Sequence, residues 1–209
     1  MKNKKLLFLS TLLCLLPILL GLSMYPQLPA QVPIHFDMSG TPDNYASKNF
    51  AVFALPLLMT AFHIILHWAM RKDRKTVAAS PAALLVITYW IVPVLCNILM
   101  PVTLFMAIGI EVPIVTIVTT MMGVLFVIIG NYLPKCKPNR HMGIKLPWTF
   151  ASEENWRRTH RFGGFVFVAA GITTLLAGIF HSDWLMLTAL FSAILLPTIY
   201  SWLLSRKNI

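Results

Sequence analysis

Six long apolar runs separated by polar connections organise the chain, at 6–24, 50–70, 81–108, 112–132, 162–180 and 184–204. Each is close to the roughly 20 apolar residues that a helix needs to cross the hydrocarbon core of a bilayer. The pattern predicts an all-α, polytopic membrane protein with about six transmembrane helices in one membrane domain. Two connections are too short for anything but antiparallel helical hairpins: His181-Ser182-Asp183 before the sixth run, and 109–113 before the fourth. The last run stops at Ser205-Arg206-Lys207. The first run begins on basic residues and is followed by Leu28-Pro29-Ala30, an arrangement shared with cleaved signals. Its apolar stretch exceeds the ~7–15 residues of such a segment, so it is expected to be retained as a helix. Cys14 lies mid-run, which argues against a lipoprotein.

Two connections are long. The stretch 25–49 is punctuated by Pro26, Pro29, Pro33 and Pro42, with Gly40 and Asn44. Proline fixes φ and removes a donor, so this loop is expected to be extended and turn-rich. The second long connection, 133–161, ends in Ser152-Glu153-Glu154, a capping serine followed by acids where the helix dipole favours them. A helix is expected to start near Glu153, run along the membrane interface and continue into the fifth span.

Composition agrees with the pattern. Of the 209 residues, 57% are hydrophobic and only 11% charged, against roughly 25% charged in soluble domains. The net charge of +10 raises the question of nucleic acid, and the placement of the charges answers it. Lys2, Lys4 and Lys5 precede the first run, Arg71, Lys72, Arg74 and Lys75 follow the second, and Lys135 to Arg161 follow the fourth. Lys48 alone among the basic residues falls on the other side. Lys and Arg are retained in cytoplasmic loops, so the bias predicts both termini inside, 25–49 outside and 133–161 inside. The partner that the basic balance implies is the bilayer with its anionic head groups; no nucleic-acid partner is expected. Cys14, Cys96 and Cys136 suggest no disulfide framework.

Chemistry has few places to reside. Gly164, Gly171 and Gly178, beside Gly163, Ala170 and Ala177, repeat every seven residues and lay a smooth packing strip down the fifth span. Pro93 and Pro101 interrupt the third span, and Pro101 deprives the Asn97 carbonyl of its helical donor. Asn97 either glues a kinked helix to a neighbour or lines a ligand or ion site. His63 and His67 share one helical face, with His67 placed near the interface by Arg71, and no third ligand follows at metal-binding spacing. No metal site or cofactor is expected. In the outer loop, His35 and Asp37 suit either a base–carboxylate pair or, with no nucleophile beside them, a recognition loop. The inner loop is densest: Asn131, Asn139, Gly143, Lys145, Pro147, Trp148, Trp156, Arg157, His160 and Arg161 are its candidates. Trp148 and Trp156 suit the head-group layer, and Arg157 and Arg161 share a face that would meet phosphates. The loop reads as a membrane anchor, or as a docking site for a cytoplasmic partner or lipid head group.

The string Gly130-Asn131-x-x-Pro134, Asn139, Gly143-Ile144-Lys145-Leu146-Pro147-Trp148-Thr149, Trp156 and Thr159-His160-Arg161 resembles the signature loop of the SdpI family. Pro26 through His35, Phe36, Gly40, Pro42, Asp43, Tyr45 and Lys48 looks like the uncharacterised N-terminal domain that usually precedes it. Lys145 and Leu146 stand where that family commonly has Arg and Thr. The resemblance implies a multi-pass protein of the bacterial cytoplasmic membrane, non-enzymatic, conferring resistance to a secreted membrane-active peptide toxin or signalling its presence. Partners would be an extracytoplasmic peptide toxin and a cytoplasmic regulator. A small-solute or lipid carrier built around Asn97, and a membrane-embedded metalloenzyme using His35, Asp37, His63 or His67, are the rival readings.

Overall fold

The computed structural model describes residues 4–73, 78 and 80–207. Lys2, Arg74 and Lys75, three of the charges used above, lie outside the described residues. Among the described residues, six helices are long and apolar enough to cross a membrane. Their outward faces carry large apolar side chains, with Phe8, Phe165 and Phe180 at 72%, 70% and 68% exposure. Lipid is the solvent that tolerates such rows. The chain divides into two compact units.

The first unit comprises residues 1–73 and 85–114. Helix α1 (Lys4–Met24) leads into a hairpin of β1 (Gln31–Phe36) and β2 (Pro42–Ser47). The extended stretch expected between the first two spans is thus a paired, irregular antiparallel ribbon, with Pro33 opposite Tyr45. A two-stranded ribbon has only edge strands, so Pro33 and Pro42 cost it little. Its turn is set by Gly40 at φ 84° and by the Asp37 carboxylate, which accepts from Ser39 N, Ser39 Oγ and Thr41 N at 2.7–2.9 Å. One π-helical turn (Phe50–Ala54) then enters α2 (Leu55–Lys72), and α3 (Ala82–Ala107) carries Pro93 and Pro101. Met24, Leu28, Val32, Ala51, Val52 and Leu104 form the core that seats the hairpin base on the helices. Gly21 allows that seating, since a Cβ there would lie 2.8 Å from Val52 Cγ1.

The second unit comprises residues 74–84 and 115–209. It contains α4 (Ile114–Tyr132), a 3-10 turn (Leu133–Lys135), the short α5 (Pro147–Ala151), α6 (Glu153–Phe180) and α7 (Asp183–Arg206). Helix α6 starts as its sequence suggests: Ser152 Oγ accepts from Asn155 N, with Glu153 and Glu154 in the first turn. At 28 residues it is about 42 Å long, so part of it extends beyond a ~30 Å hydrocarbon core. It ends at His181 in the left-handed conformation, and Ser182 Oγ accepts from Leu185 N to open α7.

The seven-residue glycine strip of α6 meets a matching one on α4. Cβ atoms built at Gly130 and Gly123 would fall 2.7 and 2.8 Å from the carbonyl oxygens of Gly164 and Gly171. Backbone therefore packs on backbone at two levels, the small-residue packing that stands in for a hydrophobic driving force within lipid. On the α7 side, Ala170 packs against Ala189 and Ala193.

Candidate functional site

The connection from α4 to α6 folds around Trp156. The indole is 2% exposed and donates from Nε1 to the Cys136 carbonyl at 2.8 Å. Burial keeps the Cys136 thiol protonated by raising its pKa. One helical turn on, the His160 ring stacks on Trp156 with centroids 4.0 Å apart. Ile144 N donates to His160 Nε2 at 2.9 Å, so that nitrogen carries no proton, and Nδ1 donates to the Trp156 carbonyl at 2.8 Å. A neutral ring with both nitrogens engaged thus joins the loop to α6.

Gly143 makes this approach possible. Its φ of 104° is a conformation that side chains resist, and a Cβ there would collide with His160 Nε2. Asn139, 5% exposed, shapes the preceding turn: Oδ1 accepts from His141 N and Met142 N at 3.0 and 2.7 Å, while Nδ2 donates to Lys137 O. The Lys145 ammonium donates to the carbonyls of Arg140 and His141 at 3.3 and 3.4 Å. Pro147 opens α5, where a missing N–H costs nothing. Thr149 Oγ1 accepts from Leu146 N and donates back to loop carbonyls. The half-buried Trp148 places its Nε1 out of solvent with no partner among the described residues.

A second buried network was not evident from sequence. Asn155 Nδ2 donates to Ser201 O at 3.0 Å, and Asn155 Oδ1 accepts from Ser201 Oγ and Thr159 Oγ1 at 2.7 and 3.0 Å. It ties the start of α6 to the end of α7, and all three side chains are fully buried. The only signal in the sequence was three polar residues at apolar-facing positions, two in one helix and one 46 residues away.

Beside this core lies a cleft of about 410 Å³ lined by Asn131, Pro134, Arg157, Arg161, Gly164 and Phe165. The two arginines expected to share a face do reach one cleft, but in different states. Arg157 makes a two-pronged pair with Glu154 at 2.9 and 2.7 Å, and Glu154 also takes Arg158 at 2.5 Å. Arg161 is exposed beside them. Trp156 and His160, expected one position round, are inside the unit, so Trp156 is no head-group ring.

The remaining candidates belong to the first unit. His35 Nδ1 lies 2.6 Å from Asp43 Oδ1, not from Asp37. The reason is that Asp37 sits at the turn and its Oδ1 accepts from Ser39 and Thr41, which hold its pKa below the usual carboxylate value. Asn97 Nδ2 donates to the carbonyls of Leu13 and Pro93, both at 2.8 Å. His67 is fully buried, with Tyr89 covering it at 4.2 Å between ring centroids. Among the described residues, no three His, Cys, Asp or Glu side chains are grouped to hold a metal ion.

Comparison with known proteins follows this geometry closely. Residues 135–201, which contain the loop, the Trp156–His160 stack and Ser201, match the model of the SdpI/YfhL protein family. Residues 12–60, which contain the hairpin, match a domain of unknown function, DUF1648. The chain is 26% identical to the immunity protein SdpI of Bacillus subtilis (strain 168) over 202 residues, 95% of each chain. It is 36% identical over 61 residues to the uncharacterized membrane protein YbgB of the same organism, covering 29% of this chain and 63% of that protein. No solved structure matches. In its hairpin domain, its signature loop and its end-to-end alignment, the chain is similar to SdpI and to the SdpI/YfhL family model.

Proposed function

We propose that this protein is a non-enzymatic immunity protein of the bacterial cytoplasmic membrane, protecting against a secreted membrane-active peptide toxin of the sporulation-delay type. The observation that carries the reading is the collinear similarity to the immunity protein SdpI over 95% of both chains. In this reading both termini are cytoplasmic, as the placement of Lys and Arg favours. The hairpin then lies outside, where the exposed His35–Asp43 pair is available to an arriving peptide. The 133–161 loop lies inside, and its cleft with Arg161 is the surface for a cytoplasmic regulator.

A carrier reading depended on Asn97, whose amide hydrogens are spent on Leu13 and Pro93. Survival of a toxin-sensitive bacterium challenged with a sporulation-delay-type peptide tests the immunity reading. Cells expressing the protein should survive a dose that kills vector-only cells, and an Asn139→Ala/Trp148→Ala variant at equal membrane level should lose protection. Death of cells shown to contain the inserted wild-type protein would overturn it.

A further inference from the structure

Helix α2 carries a buried polar row that neither the signature loop nor the hairpin uses. His63, His67 and Arg71 follow one another at four-residue spacing, so they share one face. Tyr89 of α3 stacks on the middle ring. His63 and His67 are fully buried and Tyr89 is 2% exposed. His63 Nε2 lies 2.9 Å from Ser10 Oγ, whose own hydrogen goes to Leu7 O, and His67 Nε2 donates to Thr88 O. Both rings therefore use Nε2–H, and each neutral ring turns a bare Nδ1 inward.

Five polar atoms of this row are out of solvent and have no partner among the described residues: His63 Nδ1, His67 Nδ1, Arg71 Nε, Arg71 Nη2 and Tyr89 Oη. Native proteins pair nearly all such atoms. An unanswered guanidinium edge is the costliest of them, because a charged donor loses most when water is withheld. Nε and Nη2 form the edge of the fork that matches two oxygens of one oxyanion. The tyrosine hydroxyl supplies another donor. The histidine Nδ1 lone pairs suit a hydroxyl brought by the same group.

The neighbouring residues indicate its level. Lys72 Nζ sits 3.8 Å above the centroid of the exposed Trp68 ring, the aromatic and basic pairing of a membrane–water interface. Phospholipid phosphates lie at that level. We propose that the end of α2 binds a phosphate group, held by the Arg71 edge and the Tyr89 hydroxyl, with the His63–His67 pair behind it. The group is supplied by an anionic phospholipid or by free phosphate. This site does not depend on the immunity reading.

The test uses the full-length protein purified in detergent, with native mass spectrometry and thermal melting read together. Three additions are compared: phosphatidylglycerol, inorganic phosphate, and a phosphate-free glycolipid with the same diacylglycerol. The expected result is one phosphatidylglycerol retained per chain and a melting temperature raised by it but not by the glycolipid. Arg71→Gln should weaken retention at least about ten-fold, and Arg71→Lys, which keeps charge without the fork, by less. Protection by inorganic phosphate alone, absent in Arg71→Gln, would identify the free anion as the source. Equal protection by phosphatidylglycerol and glycolipid overturns the proposal, as does undiminished retention in Arg71→Gln; water then fills the row. Should Arg71→Gln fail to fold, the lipid comparison on the wild type decides, with Tyr89→Phe expected to weaken retention.

Discussion

Asn97 on α3 donates its amide at 2.8 Å to the carbonyl of Leu13 on α1, and Leu13 is the residue whose helical donor Pro17 removes. The proline opens a backbone acceptor inside an apolar helix, and a side chain from another helix closes it. Asn97→Leu should destabilise the protein by about 0.6–1.7 kcal/mol, the span for hydrogen bonds between membrane helices. The mechanism makes a sharper claim. With Pro17→Ala, residue 17 regains an N–H for Leu13, and Asn97→Leu should then cost clearly less. Thermal melts of the four proteins, followed by helical circular dichroism, close this cycle. Equal costs in both backgrounds would refute the pairing.

Gly143 and Gly109 separate backbone strain from collision. Both have positive φ, 104° and 84°, but nothing lies within 4 Å of a Cβ at Gly109. Gly109→Ala should cost about 1–2 kcal/mol from conformation alone. Gly143→Ala must also displace His160 and its bond from Ile144, for a total of about 3 kcal/mol or more. The same melts, with proteolysis of the 133–161 loop as a local readout, should rank Gly143→Ala well below Gly109→Ala. Similar stabilities would mean that the His160 contact is not holding the loop.

The six apolar runs and the short connection His181-Ser182-Asp183 were legible because lipid leaves a chain few alternatives: backbone groups must pair within helices. Ser152 and the glycine repeat of α6 were legible for a related reason, since capping and small-residue packing act over a few residues of one element. What could not be read needed a partner distant in sequence. Gly123 and Gly130 gain meaning only opposite Gly171 and Gly164. Asn155 gains it from Ser201, and Trp156, amphipathic and beside arginines, is drawn inward by the Cys136 carbonyl. His35 takes Asp43 because the ribbon brings β2 back beside β1, while Asp37 is used by its own turn.

Asp37 gives the hairpin tip a pH dependence of known sign. Its folded pKa is depressed, chiefly by the Ser39 hydroxyl and then by the Thr41 amide. A depressed carboxylate contributes stability that is present above its unfolded pKa and lost as pH falls through the lowered folded value. Protection of the Ser39 and Thr41 amides, taken against their intrinsic exchange rates at each pH, should therefore persist near neutrality and fall only at acid pH. In Asp37→Asn that acid step should disappear. A step that persists in the variant would have to come from another group.

Arg157 and Arg161 line the same cleft, and their different partners predict different consequences. Arg157 is neutralised by a two-pronged contact with Glu154, an exposed pair worth little to stability but enough to occupy its fork. Arg161 is exposed and presents its charge to the cleft. If the cleft serves the proposed cytoplasmic regulator, Arg161→Ala should impair protection in the toxin challenge more than Arg157→Ala at equal membrane level. Glu154→Gln, which releases Arg157, should then partly restore an Arg161→Ala protein, because a second fork becomes available at the same cleft. That rescue distinguishes a shared binding surface from simple loss of charge. Equal survival of all the single variants and wild type would remove the cleft from the mechanism and leave the buried loop around Trp156 as the part that matters.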